Sequence, residues 1–118
     1  MEYVDGFVIP VPKKKLKTYL KMAKRAGRIW KDHGALFFRE SVADDVKVGK
    51  RTSFPRSVKL KRDETIVMSW IVYKSRAHRD RVNAKVMNDP RFVKMIQEPA
   101  PFDGRRLIFG GFKIMVKM

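Results

Sequence analysis

The sequence contains no cysteine and only two histidines in 118 residues. The absence of cysteine excludes disulfide bonds, thiol catalysis and zinc or iron–sulfur sites built from cysteine. Two histidines, His33 and His78, are too few for a histidine-rich metal site within one subunit. We therefore expect a protein that holds neither a metal ion nor a cofactor.

Long apolar runs are absent as well. No segment approaches the roughly 20 apolar residues that a bilayer-spanning helix needs. The first residues contain Glu2 and Asp5 and lack the basic leader and apolar stretch of a secretory signal. A chain of 118 residues is long enough to bury a core of its own. We expect a soluble, cytoplasmic protein that forms a single domain over residues 1–118.

Acidic residues are scarce, because 12 Asp and Glu stand against 28 Lys and Arg, which gives a formal net charge of +16. A charge of this size attracts nucleic acids and other polyanions, or anionic surfaces. It therefore concerns the partners of the protein and carries no information about its fold.

The best-defined element is a strand over residues 66–73, with the sequence I-V-M-S-W-I-V-Y, followed by a helix that Ser75 caps. Its two sides separate by alternation. One side carries Ile66, Met68, Trp70 and Val72, and the other carries Val67, Ser69, Ile71 and Tyr73. Since both sides are apolar, we expect the sheet to be covered on both faces.

The first half of the chain predicts strand, helix, strand. A strand over residues 3–9 is ended by Pro10 and Pro12. A helix follows over residues 13–32 and ends at Gly34, and a second strand covers residues 35–42. The apolar stripe of this helix consists of Leu16, Tyr19, Leu20, Ala23, Ala26 or Gly27, and Trp30.

The opposite side of this first helix is almost entirely cationic, and no acidic residue occurs between Asp5 and Asp32. A row of like charges repels itself but binds polyanions by releasing their counterions. The predicted polyanion-binding residues are Lys13, Lys14, Lys17, Lys21, Lys24, Arg25, Arg28 and Lys31.

The second half repeats the pattern after a long irregular stretch over residues 43–57. Residues 58–60 extend a strand before the central strand begins. The second helix covers residues 75–88 and ends at Asp89-Pro90, with Ala77, Val82, Val86 and Met87 facing inward. A last strand over residues 107–116 contains Gly110-Gly111, which predicts a bulge or a close backbone approach.

The resulting order, β-α-β-β-α-β, is the ferredoxin-like arrangement of the α+β class, a four-stranded antiparallel sheet with both helices on one face. Helices on one face leave the other face of the sheet uncovered. Because the strands are apolar on both sides, we expect a second copy to cover it, giving a homodimer that packs sheet face to sheet face.

Several long segments also resemble a known family. They are Y-V-D-G-F-V-I-P-V-P at 3–12, W-K-D-H-G-A-L at 30–36, T-S-F-P-R at 52–56, S-W-I-V-Y-K-S-R-A-H-R-D at 69–80, V-N-A-K-V-M at 82–87 and P-F-D-G-R-R-L-I-F-G-G-F at 101–112. These motifs are similar to those of the YbaA-like bacterial proteins, a domain of unknown function. The resemblance implies a dimeric α+β barrel, a superfamily that includes cofactor-independent monooxygenases, haem-degrading enzymes and lactone isomerases. It supplies no catalytic residue.

The charge sets this sequence apart from the relatives that it resembles, which tend to be far less basic. The family-like motifs are intact, whereas positions expected at the surface are Lys or Arg. Surface supercharging leaves this combination, because surface charge varies without changing the fold. An engineered cationic variant and a natural basic protein both remain open.

The candidate small-molecule site joins Trp30, Trp70 and Arg76 as binding residues with His33, Tyr73 and His78 as acid–base residues. Aromatic pockets with a few polar groups are common binding sites, and histidine titrates near neutrality. The competing interpretation, which we favour, is that the tryptophans belong to the core and the histidines cap helix ends.

Polar residues also occur inside the predicted strands, namely Asp5, Arg39 and Glu40. They line a cleft or form an ion pair at the dimer interface, and pairing is the favoured interpretation because buried charges need partners.

Three functions follow from these observations. The first is a homodimeric barrel protein whose cationic surface binds polyanions without sequence preference. The second is a small-molecule binder or monooxygenase-like enzyme that uses the cleft between sheet and helices. The third is a nucleic-acid-binding module, although L-I-F-G-G-F-K-I at 107–114 matches the aromatic signature of RNA-recognition sheets only superficially.

Overall fold

The computed structural model describes all residues, 1–118. The strands are β1 (Tyr3–Pro12), β2 (Phe37–Val42), β3 (Glu64–Tyr73) and β4 (Ile108–Lys113). The helices are α1 (Leu16–Asp32), α2 (Phe54–Ser57), α3 (Arg76–Met87) and α4 (Pro90–Met95), and a 3₁₀ turn at Lys13–Lys15 precedes α1.

The four strands form one antiparallel sheet in the order β2-β3-β1-β4. This is the ferredoxin-like order, so the predicted α+β fold is confirmed. The central pair, β1 and β3, is in continuous register from Tyr3 opposite Tyr73 to Pro12 opposite Glu64. Helices α1 and α3 pack on one face of the sheet, where Ile29 and Val82 share a buried cluster with Ile71.

The first strand runs three residues further than the sequence predicts, because Pro10 lies inside β1 and the strand ends only at Pro12. Pairing between β1 and β4 stops at Val8 opposite Ile108. Beyond Val8 one edge of β1 has no partner strand, so a proline can sit there without losing a ladder hydrogen bond. The prediction that Pro10 ends the strand is therefore wrong, whereas Pro12 is the last residue of β1 as predicted.

Helix α1 confirms the predicted helix, but its buried side is rotated slightly from the predicted stripe. Leu20 is exposed, whereas Ile29, which the stripe omits, is buried. The helix ends as predicted at Gly34, whose φ of +109° suits glycine. The Gly34 N–H donates to the Lys31 carbonyl and the Ala35 N–H to the Trp30 carbonyl, the two bonds of a Schellman motif.

Two local predictions fail in the second half. Residues 58–60 form a turn after α2 and not a strand, because Lys59 takes a positive φ of 49°. The Gly110-Gly111 pair makes no bulge, since Gly6 and Asp5 oppose the two glycines in unbroken register. The close approach is instead that of a side chain: a Cβ on Gly111 would lie 2.6 Å from Cε2 of Tyr3.

Helix α3 begins as predicted, because the Ser75 hydroxyl accepts a hydrogen bond from the His78 backbone N–H. Val82 and Val86 are buried, as predicted. Ala77 and Met87 are exposed and not inward, because each is five positions from Val82 and so points about 140° away from it round the helix. None of the helices combines the length and the apolar composition that crossing a membrane requires.

The face of the sheet opposite the helices is uncovered, and we call it the open face. Its central residues alternate with the helix-facing ones along each strand. They are Val4, Gly6 and Val8 of β1, Phe37, Arg39 and Ser41 of β2, Met68, Trp70 and Val72 of β3, and Ile108, Gly110 and Phe112 of β4. Phe37, Met68, Ile108 and Phe112 are each more than 40% exposed, and Arg39 is the one charged side chain in this set.

Candidate ligand cavity

An apolar cavity of about 430 Å³ lies between the helix-facing side of the sheet and the helices α1 and α4. The sheet contributes Phe7, Ile9, Phe38, Glu40, Ser69, Ile71 and Phe109, and α1 contributes Tyr19, Met22, Ala23, Ala26 and Trp30. The segment from α4 onward lines its remaining side, which is open to solvent, with Phe92, Met95, Ile96, Glu98, Ala100, Phe102 and Leu107. Two-residue alternation in the strands and the helical repeat in α1 bring these side chains to one space.

Three polar side chains meet at one wall of this cavity. Glu40 of β2 lies directly opposite Ser69 of β3 in the sheet register. Tyr19 of α1 reaches down from the helix, and its hydroxyl donates to Oε1 of Glu40 at 2.5 Å. Tyr19 and Ser69 are both buried, at 3% exposure each. Apart from the Glu98 carboxylate, the cavity is therefore apolar with a single polar cluster, the usual composition of a small-molecule site.

Burial controls the ionisation of this cluster. It raises the pKa of Glu40, and the hydrogen bond from the Tyr19 hydroxyl only partly opposes the rise. Burial and the neighbouring Glu40 carboxylate also raise the pKa of Tyr19 well above its usual range. Tyr19 therefore stays a hydrogen-bond donor at neutral pH, and the ionisation of the Glu40 carboxyl is shifted to higher pH.

Two of the residues predicted from sequence meet beside the cavity. Trp30 lines it, and its Nε1–H donates to Oδ1 of Asn83 at 3.0 Å. The hydroxyl of Tyr73 donates to the same Asn83 oxygen at 3.3 Å. Tyr73 is fully buried and lies outside the lining.

The other predicted site residues lie elsewhere. His33 follows α1 and its Nε2 lies 2.8 Å from Oδ2 of Asp89, while Nδ1 of His78 accepts from the Lys74 backbone N–H at 2.9 Å. Burial lowers the pKa of His78. Arg76 is exposed at the start of α3. Trp70 lies on the open face, so the sheet itself separates it from Trp30 and Tyr73.

The polar residues predicted inside strands also separate. Asp5 faces the helices and pairs with Arg79 of α3 at 2.7 Å, and the Arg79 guanidinium lies 4.9 Å from the centre of the Tyr3 ring. Arg39 points to the open face and Glu40 into the cavity. Alternation along β2 could have indicated that Glu40 points into the cavity, because Glu40 lies on the same side of the strand as Phe38. The sequence marked Tyr19 only as a member of the apolar stripe of the first helix.

Comparison of the sequence with known proteins identifies a family that matches almost the whole chain. The sequence model of the family described as protein of unknown function DUF1428 matches residues 2–104. The uncharacterized protein YbaA of Escherichia coli strain K12 is 47% identical over 116 residues, which cover 98% of each chain. A YbaA of Shigella flexneri matches to the same extent.

Two solved structures share the fold at low identity. An uncharacterized NIPSNAP domain protein from Burkholderia xenovorans aligns with a TM-score of 0.61 at 15% identity, covering 95% of this chain and 93% of that one. A dimeric ferredoxin-like protein from an uncultured marine organism aligns with a TM-score of 0.53 at 13% identity, covering 100% of this chain and 98% of that one.

Proposed function

The chain belongs to the DUF1428 family of proteins of unknown function, and we propose that it binds a small, largely apolar molecule in the cavity between its sheet and its helices. The observation that carries this proposal is the cavity itself, about 430 Å³ in volume with 16 hydrophobic residues among the 19 that line it. That volume lies within the range of about 300–1,000 Å³ typical of small-molecule sites. Neither histidine lines the cavity, so the proposal is binding and not a histidine-catalysed reaction.

Filling the cavity tests this proposal. We expect octan-1-ol to bind with a Kd between roughly micromolar and millimolar, given its few non-hydrogen atoms. The substitution Ala26→Phe places a ring in the cavity and is expected to weaken binding at least about 10-fold. Isothermal titration calorimetry measures both affinities.

The matched control is Thr18→Phe, which adds a ring at an exposed position of the same helix. Its affinity for octan-1-ol should equal that of the unmodified protein. Equal binding by Ala26→Phe and the unmodified protein would place the ligand outside the cavity and contradict the proposal.

We also propose that the protein is a homodimer that covers the open face. Four large apolar side chains of this face are exposed in a single copy, whereas Arg39 alone is charged. A similarly folded protein is described as dimeric. Because a +16 chain has few surfaces without charge, the open face is the one most suited to contact with another copy.

A second candidate function is binding of polyanions by the outer side of α1. All eight cationic residues predicted for this role are exposed, and Arg25 is the only one of them in an ion pair, with Glu98. Lys17, Lys21, Lys24, Arg28 and Lys31 follow one stripe of the helix about 21 Å long. Such a stripe supports contact with a phosphate backbone without reading bases.

Salt dependence tests the polyanion proposal. We expect two DNA duplexes of unrelated sequence to bind equally, with affinity falling about 10³-fold between 50 and 200 mM salt if roughly six phosphates are contacted. Replacing Lys17, Lys21 and Arg28 together by Gln should reduce the slope of log K against log salt by about 3. Fluorescence anisotropy of labelled duplexes gives both quantities.

The control for that experiment removes three exposed cations far from α1, through Lys59→Gln, Lys113→Gln and Lys117→Gln. An equal loss in the two triple variants would show that total charge and not α1 governs binding. A preference for one duplex that survives at 200 mM salt would contradict binding without sequence readout.

A further inference from the structure

The charges that line the cavity are opposite in sign to the charge of the protein. The lining contains the carboxylates of Glu40 and Glu98 and no Lys, Arg or His side chain. The chain as a whole carries 28 Lys and Arg against 12 Asp and Glu. The charged side chains of this lining are thus all acidic, although Glu40 also borders a surface groove that contains Lys24, Arg28 and Arg39.

Glu40 differs in its partners from the two buried carboxylates, and also from Glu98, the half-exposed carboxylate that shares the cavity lining. Asp5 is paired with Arg79, Glu64 with Arg106, and Glu98 of the lining with Arg25. Glu40 lies within 4.0 Å of no cationic group, and its hydrogen bond comes from the neutral Tyr19 hydroxyl. Glu40 is partly buried. A carboxylate that is withdrawn from water without a cationic partner is destabilised, and a cationic ligand would reduce that cost.

Aromatic rings surround the same space. Seven of the 19 lining residues are aromatic, including Phe7, Trp30 and Phe38. The faces of aromatic rings attract cations, and sites that combine rings with a carboxylate bind ammonium groups. An ammonium group offers three donors, and a carboxylate offers about four acceptor positions, of which Tyr19 uses one.

From these observations we propose that the ligand of the cavity is an apolar amine, whose ammonium group binds Glu40 while its hydrocarbon part fills the space between Tyr19, Phe38 and Phe102. This inference rests on the proposed function, because it assumes that the cavity binds a small molecule. It adds the chemical class of the head group. A ligand with a carboxylate head group would meet Glu40 with a like charge and is excluded.

Three eight-carbon probes separate the proposed apolar cavity from the proposed amine site: octylamine, octan-1-ol and octanoate. We expect octylamine to bind about 10-fold to 100-fold more tightly than octan-1-ol, as for a hydrogen bond between charged groups, and octanoate to bind most weakly. Calorimetry at moderate salt, which screens repulsion of octylamine by the surface charge, measures the three affinities.

Glu40→Gln keeps the shape of the side chain and an acceptor for Tyr19 while removing the charge. The substitution should reduce the affinity for octylamine about 10-fold to 100-fold and leave the affinity for octan-1-ol unchanged. Asp45→Asn is the matched control, because it makes the same change in charge at an exposed position.

The possible outcomes distinguish the proposed apolar cavity from the amine assignment. Equal affinities for all three probes, unchanged by Glu40→Gln, would overturn the amine assignment and leave the apolar cavity intact. Tightest binding of octanoate would overturn it as well. Binding by none of the probes would overturn the proposed function together with the amine assignment.

Discussion

Replacing Arg79 with alanine is expected to lower the free energy of unfolding by about 3–5 kcal/mol at neutral pH, the usual cost of removing one partner of a buried ion pair. Arg79 is the cation that pairs with the Asp5 carboxylate, at 2.7 Å, and the Asp5 side chain is only 8% exposed. Arg79 also covers the Tyr3 ring. Its loss leaves the Asp5 charge in the core without a partner. Urea denaturation followed by circular dichroism measures the change.

The control for this variant is Arg81→Ala on the same helix, since Arg81 is exposed and its truncation should change stability by less than about 0.5 kcal/mol. Asp5→Asn provides a second check, because Arg79→Ala should cost much less in that background. If Arg79→Ala lowered the free energy of unfolding equally in the unmodified protein and in Asp5→Asn, the ion-pair explanation would be contradicted.

The pH dependence of Arg79→Ala follows from the pKa of Asp5. Burial raises this pKa in the folded protein, and the attraction to Arg79 opposes the rise. A raised carboxyl pKa in the folded protein means that ionisation of Asp5 lowers the free energy of unfolding. This destabilisation is absent below the unfolded pKa of about 3.9 and grows as the pH rises above it. Removing Arg79 raises the pKa further. The cost of the substitution should therefore be smallest in acid and increase toward neutral pH.

The order of elements was predictable from sequence because each element carries a local signal. Ser75 caps its helix, Gly34 ends another, and alternation along residues 66–73 separates two apolar sides. The family resemblance, inferred from whole motifs, is confirmed. Pro10 and Ile29 were misassigned because their environments depend on where a neighbouring element stops or packs, which no local pattern specifies.

The cavity was less predictable for the same reason. Tyr19 and Glu40 are 21 residues apart, and their hydrogen bond depends on how α1 lies across β2. Each residue alone has an ordinary interpretation, Tyr19 as core and Glu40 as a paired charge. The sequence therefore offered His33 and His78 as acid–base candidates, because histidine titrates near neutrality. It did not offer Glu40, a carboxylate that only the tertiary structure places in an apolar space.

Placing a charge at the centre of the open face is expected to convert the proposed dimer into a monomer. Met68 is 41% exposed in one copy and lies in the middle of β3, opposite Ser41 of β2 and Val8 of β1. In Met68→Asp, dimer formation would bury an unpaired carboxylate from each copy, which should weaken association at least about 100-fold. Multi-angle light scattering should report twice the chain mass for the unmodified protein and the single chain mass for the variant.

Salt gives this prediction a second test, because two chains of formal charge +16 repel each other while apolar faces attract. The screening length falls from about 10 Å at 0.1 M salt to about 3 Å at 1 M, so the dimer should be favoured by high salt, whereas polyanion binding is weakened by it. The control Thr18→Asp makes the same change in charge at an exposed position of α1 and should remain dimeric. A monomeric mass for the unmodified protein at high salt would contradict the pairing, and the open face would then need a different partner.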